Sequence, residues 1–179
     1  MSDTEVRPPN SIKTYPTGSW IDPTNPNPDS IHLIDICHSL SLQGRFAGHT
    51  PVLHTVAEHS LEVYKLLVSW GADEEDCKKG LAHDFSEAYC LDMPFPIKRH
   101  PHMKSYLDME ETVQEAIFAK MGLSPGIPEI VHEADAARRD FDVTYTRYST
   151  VTVPSKQAFL NLYLQAIRLG FPYNVKDIV

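Results

Sequence analysis

A histidine and an aspartate stand side by side at His83 and Asp84, and Glu87 follows one helical turn later. The apolar residues around them recur every three to four positions, which predicts an amphipathic helix over 73–89. On that helix His83 and Glu87 share a face, and Asp84 lies one step round it. Three groups that can bind a cation or move a proton are thereby held beside an apolar stripe, where they need a partner. Solvated surface charge is the alternative for any one of them.

Two more polar residues fall within apolar helix faces. His59 lies among the inward positions of a helix predicted for 52–70. Asp135 lies at the edge of the apolar side of a helix that starts near 125–128. Each residue alone has a structural alternative: a satisfied core histidine for the first, and a buried ion pair with a neighbouring arginine for the second.

Together these residues supply two imidazoles and two carboxylates, a mixed nitrogen and oxygen set that suits a borderline divalent transition metal. We predict one such ion per chain, with cobalt, manganese, zinc and iron as candidates. Four protein ligands leave positions open for water and substrate, and a bound ion lowers the pKa of water from ~15.7 toward ~7 in favourable cases. Glu87 is then placed to act as a general acid or base. The predicted metal ligands are His59, His83, Asp84 and Asp135.

A loop at 44–50, bracketed by glycines, adds groups suited to a substrate. Arg45 offers a planar fork that matches phosphate oxygens, and the glycines let the backbone approach a ligand closely. Phe46 places an aromatic ring beside that arginine. His49 could act as a partner of a metal ligand, as a phosphate contact or as loop filler. A plain turn with a surface arginine is the alternative for the whole loop.

Two prolines, Pro94 and Pro96, forbid a continued helix beyond the site. Asp92 and Lys98 therefore flank a rigid turn at that point. The cations that could contact phosphates beyond the first one are Lys98, Arg99, Arg138 and Arg139.

The composition limits the possible partners. A formal net charge of −8 argues against general binding to the phosphate backbone of nucleic acid, without excluding a small anionic substrate. Three widely spaced cysteines without a CxxC pair indicate reduced thiols in a cytoplasm. The chain lacks a run of about 18 apolar residues and a charged-then-apolar N-terminal pattern, so we expect neither a membrane partner nor a secretion signal.

The patterns predict an all-α protein of five to six helices, with one domain at 31–179. A proline-rich arm at 1–30 is expected to be extended and packed on this body. Trp20 in the arm either covers a bound base or anchors the arm. A β-branched stretch at 150–153 is too short to establish a sheet. The predicted helices cover 31–42, 52–70, 73–89, 103–121, a segment from 125–128 onward, and 155–169.

Four short segments carry a family resemblance: Ala57-Glu58-His59-Ser60, His83-Asp84-Phe85-Ser86-Glu87-Ala88, Asp92-Met93-Pro94 and His132-Glu133-Ala134-Asp135. In combination, over roughly 31–140, they resemble the HD-domain metal-dependent phosphohydrolases, an all-helical superfamily. Within it they look like the small deoxyribonucleoside 5′-monophosphatases. They also look like related phage proteins, including the dATP triphosphohydrolases of phages whose DNA carries 2-aminoadenine.

The resemblance implies that the four predicted ligands hold the metal and that Glu87 is the catalytic carboxylate. It also implies that Arg45 binds phosphate and that Asp92 contacts the sugar or the nucleophile. The bacterial nucleotidases usually carry tryptophan after that arginine, whereas this chain has Phe46 and a loop like that of the phage branch, which leaves base selectivity open. A homo-oligomer, from dimer to hexamer, and a cytoplasmic location, in the host if the chain is phage-encoded, are further implications.

The main hypothesis is hydrolysis of a purine deoxynucleotide by metal-activated water. A triphosphate would release the deoxynucleoside and triphosphate, and the phage-like loop favours this substrate; a 5′-deoxynucleotidase would instead release phosphate from dNMPs. Cleavage of a cyclic nucleotide or alarmone is a further alternative, which would need more histidines around the site, such as His49 and His54. The last alternative is a nucleotide-binding sensor without catalysis. The presence of Glu87 argues against it, because binding alone does not require this residue.

Overall fold

Helices make up most of the structure, a computed structural model that describes residues 7–145 and 152–174. A short antiparallel pair, β1 (Ile12–Lys13) and β2 (Trp20–Ile21), precedes them. The helices are α1 (Leu33–Leu42), α2 (Val56–Trp70), α3 (Glu74–Ala82), α4 (Glu87–Cys90), α5 (Phe95–Lys98), α6 (Lys104–Met121), α7 (Glu129–Tyr145) and α8 (Ser155–Arg168). The predicted all-α class is therefore confirmed. Within the described ranges, no helix combines the length and the apolar character that crossing a bilayer requires.

The N-terminal segment from residue 7 to residue 30 lies against α1. Ile21 is fully buried in the main core. The buried Asp35 carboxylate on α1 accepts hydrogen bonds from Thr14 Oγ1 at 2.6 Å and from the Thr17 N–H at 2.9 Å. Trp20 contacts its own hairpin, because Lys13 Nζ lies 5.5 Å from the centre of its ring. The predictions for residues 1–6, 175–179 and the first half of 150–153 lie outside the described residues.

Helix α2 is central, and it packs against α1, α3, α7 and α8. A capping box starts it: Thr55 Oγ1 accepts from the Glu58 N–H at 3.2 Å, and Glu58 Oε2 accepts from the Thr55 N–H at 2.8 Å. Gly71 ends it in the left-handed conformation, with φ at 75°. The helix is thus fixed at both ends, and His59 on it is completely buried.

The continuous helix predicted over 73–89 is wrong. Helix α3 ends at Ala82, and residues 83–86 form a separate turn before α4. Backbone hydrogen bonds in this turn span three residues: the Phe85 N–H donates to the Ala82 oxygen at 3.1 Å, and the Glu87 N–H donates to the Asp84 oxygen at 3.1 Å. The adjacent histidine and aspartate therefore lie on a tight turn between two helices.

Gln114 on α6 stabilises this interruption. Its Oε1 accepts from the Ser86 N–H at 3.0 Å, and its Nε2 donates to the Ala82 oxygen at 2.8 Å. Both contacts are buried, so one side chain pairs a backbone donor and a backbone acceptor at the helix break. A local periodicity in the sequence cannot reveal a partner that lies 28 residues further along the chain.

The two prolines after the site permit one helical turn, α5. Pro94 immediately precedes this turn, and Pro96 is its second residue. Proline is tolerated there because the first N–H groups of a helix have no intrahelical acceptor. The turn brings Lys98 back toward Glu87, with Nζ 3.8 Å from Oε1.

Helix α3 lies so close to α2 that a side chain does not fit at Gly80. A Cβ at this position would overlap the side chain of Leu67, which is fully buried on α2. The Gly80 oxygen also accepts a hydrogen bond from His83 Nδ1 at 2.8 Å. The close approach therefore sets the packing of the two helices and the orientation of a predicted metal ligand.

The variant Gly80→Ala is expected to destabilise the protein by about 1–3 kcal/mol, because an added methyl group overpacks the α2–α3 contact. For a chain of this size each kcal/mol lowers the melting temperature by roughly 2–4 °C, which calorimetry measures. Lys65→Ala, on the exposed side of α2, is the control and should change the stability by less than about 0.5 kcal/mol. Equal stability of the two variants would contradict the steric account.

Candidate metal centre

Three of the four predicted ligands, His59, His83 and Asp84, bring donor atoms within 4.8 Å of one another, and Asp135 lies beside them. His59 Nε2 lies 3.0 Å from Asp135 Oδ1 and 3.7 Å from Asp84 Oδ2. His83 Nε2 lies 3.1 Å from Asp84 Oδ2 and 3.9 Å from Asp135 Oδ1. Donor atoms that share one ion at about 2.0–2.2 Å are roughly 3–4.4 Å apart. These four separations fall in that range, so His59, His83 and Asp84 could hold one divalent ion with Asp135 beside it.

His83 directs a nitrogen without a hydrogen-bond partner at this point. Its Nδ1 faces the Gly80 carbonyl oxygen, which can only accept, so Nδ1 carries a proton. Its Nε2 is buried and forms no hydrogen bond, although Asp84 Oδ2 is 3.1 Å away. A lone pair that faces carboxylate oxygens is unfavourable unless a proton or a metal cation lies between them. The donor chemistry thus fits a cation.

The negative charges around His83 allow a proton to compete with a metal cation for its Nε2 atom. Burial alone would lower the pKa of His83, but the negative charges of Asp84 and Asp135 outweigh burial and raise it above its ordinary value. For Asp84 the balance is reversed. Burial favours the neutral acid, but the charges of His83, His59 and Arg45 hold the pKa of Asp84 well below its usual range. The carboxylate therefore stays ionised, as a metal ligand must.

Asp142, which the sequence analysis missed, orients the other histidine. Its carboxylate is fully buried, and Oδ2 accepts from His59 Nδ1 at 3.3 Å. The His59 Nε2 atom is thereby left to face Asp135. Metal-binding histidines commonly donate their other N–H group to such a carboxylate. The signal that could have found Asp142 is its position two turns after Asp135 on one face of α7.

A second group of possible ligands, His54, Glu62 and Asp142, lies behind His59. Arg138 supplies the positive charge there: its NH2 lies 2.7 Å from Glu62 Oε2 and 2.7 Å from Asp142 Oδ1. His54 Nε2 lies 3.2 Å from Asp142 Oδ2. Because the guanidinium already occupies an oxygen of each carboxylate and would repel a second cation, the arrangement favours one ion per chain, at the first group.

The loop before α2 brings Arg45 to the centre. Arg45 is buried, its NH1 lies 3.5 Å from Asp84 Oδ2, and its Nε has no hydrogen-bond partner. Its guanidinium carbon lies 5.3 Å from the centre of the Phe46 ring. Phe46 and Ala47 have φ values of 56° and 53°, a left-handed conformation that non-glycine residues rarely adopt. A strained loop thus holds an arginine with an unused donor beside the centre.

Glu87 lies beside the same point with an unused oxygen. The side chain is buried, and its Oε2 has no hydrogen-bond partner. Burial, reinforced by the negative charges of Asp84 and Asp92, raises the pKa of Glu87 well above its ordinary value. A carboxyl group in this environment holds a proton at a higher pH than usual and is suited to proton transfer.

Asp92 is tied to the Glu87 segment by Gln43, which follows α1. The Asp92 N–H donates to Gln43 Oε1 at 3.2 Å, and Gln43 Nε2 donates to the Glu87 carbonyl oxygen at 3.0 Å. Burial raises the pKa of Asp92 against the opposing charge of Arg45. The pKa values of both predicted catalytic carboxyl groups, Glu87 and Asp92, are therefore raised.

Two predicted substrate contacts are placed differently from the rest. Lys98 Nζ pairs with Glu110 at 2.8 Å, so its charge is already balanced, although it also lies near Glu87. His49 is exposed, and among the described residues no contact of its side chain reaches the centre.

Asp135 has both the metal-facing position and the arginine partner that the sequence offered as alternatives. Its Oδ1 faces the histidines, while its Oδ2 accepts from Arg139 at 3.3 Å.

Comparisons with known proteins identify similar sequences but no activity. The chain is 39% identical over 124 residues to YfdR of Escherichia coli strain K12, covering 69% of this chain and 65% of that protein. It is 30% identical over 122 residues to RCAP_rcc00048 of Rhodobacter capsulatus, covering 66% of this chain and 62% of that protein. Both proteins are described as uncharacterized, and the chain spans less than two thirds of either. No family model matches the chain.

We expect one Mn²⁺ or Co²⁺ ion to bind per chain, with an affinity that rises with pH. The raised pKa of His83 means that the metal-free protein holds its proton to a higher pH, and the ion must displace that proton. Titration calorimetry in buffers of different ionisation enthalpy measures both affinity and proton release. An affinity that is constant between about pH 5.5 and 8, where histidines titrate, would contradict the assignment of His83.

Asp142→Asn is expected to weaken metal binding by about 10- to 100-fold, because His59 loses the charged acceptor that orients its ring. Glu133→Gln, an exposed change on the same helix, is the matched control and should leave the affinity unchanged. Circular dichroism checks that both variants are folded. Unaltered metal affinity in a folded Asp142→Asn protein would exclude the orienting role.

Proposed function

We propose that this chain is a metal-dependent phosphohydrolase of the HD type that acts on a purine deoxynucleotide. The observation that supports the proposal is the convergence of two imidazoles and two carboxylates with Arg45 and Glu87. Metal binding alone would require neither of the last two residues. The purine preference and the choice of a triphosphate, cleaved to deoxynucleoside and triphosphate, rest on the sequence resemblance.

A divalent ion bound by the four ligands would polarise a phosphoryl oxygen and lower the pKa of water. The remaining groups have to orient the phosphate and manage protons. Arg45 suits the first task, because its guanidinium is buried and its Nε donor is unused. A planar guanidinium can bind two phosphate oxygens at once, which fixes the direction of the phosphorus–oxygen bonds.

Glu87 suits proton delivery to the leaving group. Its raised pKa keeps the carboxyl group protonated at a higher pH than an ordinary glutamate. When the bond from phosphorus to the sugar oxygen breaks, that oxygen gains negative charge and takes up a proton. Asp92, held next to this segment by Gln43, would accept a hydrogen bond from the sugar or from the attacking water.

A 5′-deoxynucleotidase would use the same residues and would release phosphate from a monophosphate. Incubation of the protein with Mn²⁺ or Co²⁺ and each deoxynucleoside mono- and triphosphate, followed by identification of the products, separates the two. We expect deoxynucleoside and triphosphate from dATP or another purine dNTP. Failure to hydrolyse any nucleotide of either class, by protein shown to bind the metal, would exclude the proposed function and leave the sensor hypothesis.

Replacement of Glu87 distinguishes the enzyme from a sensor. Glu87→Gln keeps the size of the side chain but removes the transferable proton, so turnover should fall by about 10²- to 10⁴-fold. Metal and nucleotide affinities should stay within about threefold of the unmodified protein, as seen by calorimetry. Glu111→Gln, on the exposed face of α6, is the control. Full turnover in Glu87→Gln would remove this residue from the chemistry.

A further inference from the structure

Two guanidinium groups flank one aromatic ring at the edge of the metal centre. The Arg99 guanidinium carbon lies 4.6 Å from the centre of the Phe95 ring, and that of Arg139 lies 4.7 Å from the same centre. Phe95 is on α5, Arg99 caps the end of that turn, and Arg139 is on α7. The ring therefore holds two positive charges from separate elements close together.

The pair is joined to the centre by Arg139. Its NH1 lies 3.3 Å from Asp135 Oδ2, on the same carboxylate whose Oδ1 faces the two histidines. Arg99 is different, because no carboxylate among the described residues lies within ion-pair distance of it. Arg99 and Arg139 carry two positive charges, and among the described residues only the Asp135 carboxylate pairs with one of them, so the pair keeps a net positive charge. Such a position favours a bound anion that offers several negative oxygens.

The other two cations considered for this role are already neutralised. Lys98 Nζ contacts the Glu110 carboxylate at 2.8 Å. Arg138 NH2 contacts Glu62 at 2.7 Å, and it also binds the fully buried Asp142. The two cations that remain for contact with outer phosphates, Arg99 and Arg139, are the two that lie against the Phe95 ring.

We propose that Arg99, Phe95 and Arg139 form a subsite for the outer phosphates of a polyphosphate chain. This inference rests on the proposed function, which places the first phosphate next to Arg45 and the ligands. The subsite then selects a triphosphate over a monophosphate, because a monophosphate does not extend to it. Phe95 acts as the platform that holds the two guanidinium planes, so that little side-chain freedom is lost when the anion binds.

The test compares the binding of inorganic triphosphate and inorganic phosphate by titration calorimetry. Mn²⁺ is kept in excess in both solutions, so that each anion is added as its manganese complex. Arg99→Gln should weaken triphosphate binding by about 10- to 100-fold, as expected for loss of a charged hydrogen-bond donor, and should change phosphate binding by less than about twofold. Arg168→Gln, in the last turn of α8, is the matched control and should change neither.

A second measurement uses turnover. Arg99→Gln should lower the ratio of kcat/KM for a dNTP to kcat/KM for the matching dNMP by a similar factor. The inference is overturned if Arg99→Gln leaves triphosphate binding unchanged, or if it weakens both anions equally. Those outcomes leave the proposed function in place as long as the unmodified protein binds phosphate. Unmodified protein that binds Mn²⁺ but neither anion would count against the proposed function itself.

Discussion

Two carboxylates that must stay charged beside two buried imidazoles constrain the rest of this structure. Asp84 and Asp135 approach His59 and His83 to within 3.0–3.9 Å, and both imidazole rings are buried. Two negative carboxylates beside buried imidazole nitrogens are costly unless a cation or protons lie between these groups. The metal-free protein meets this need with a raised pKa at His83. A divalent ion would meet this need without protons and would make the site a Lewis acid.

The surrounding fold fixes the direction of each ligand. The Gly80 oxygen determines which nitrogen of His83 carries the proton, and this oxygen is placed by the close approach of α3 to α2. Asp142 does the same for His59 from α7. Gln114 stabilises the helix break that precedes Glu87. The supporting groups are buried and lie on packed helices, which suits a metal centre that has to keep its geometry.

The spacing of apolar residues predicted the helices well where a helix buries a single face. The predicted 103–121 segment matches α6 (Lys104–Met121), and three of the residues chosen as ligands, His59, His83 and Asp84, lie close together. The helix break was not predictable from periodicity, because its cause is the distant Gln114. Asp142 was missed because the two histidines that it contacts, His54 and His59, lie outside α7. The left-handed conformation of Phe46 was likewise hidden, since neither the residue type nor its neighbours require it.

The most direct test of the central claim is the position of a bound ion. Crystals grown with Mn²⁺ and measured for anomalous scattering would show it. We predict a single peak at about 2.0–2.3 Å from the Nε2 atoms of His59 and His83 and from an oxygen of each carboxylate. A peak in the group formed by His54, Glu62 and Asp142, or no peak at saturating Mn²⁺, would contradict this account.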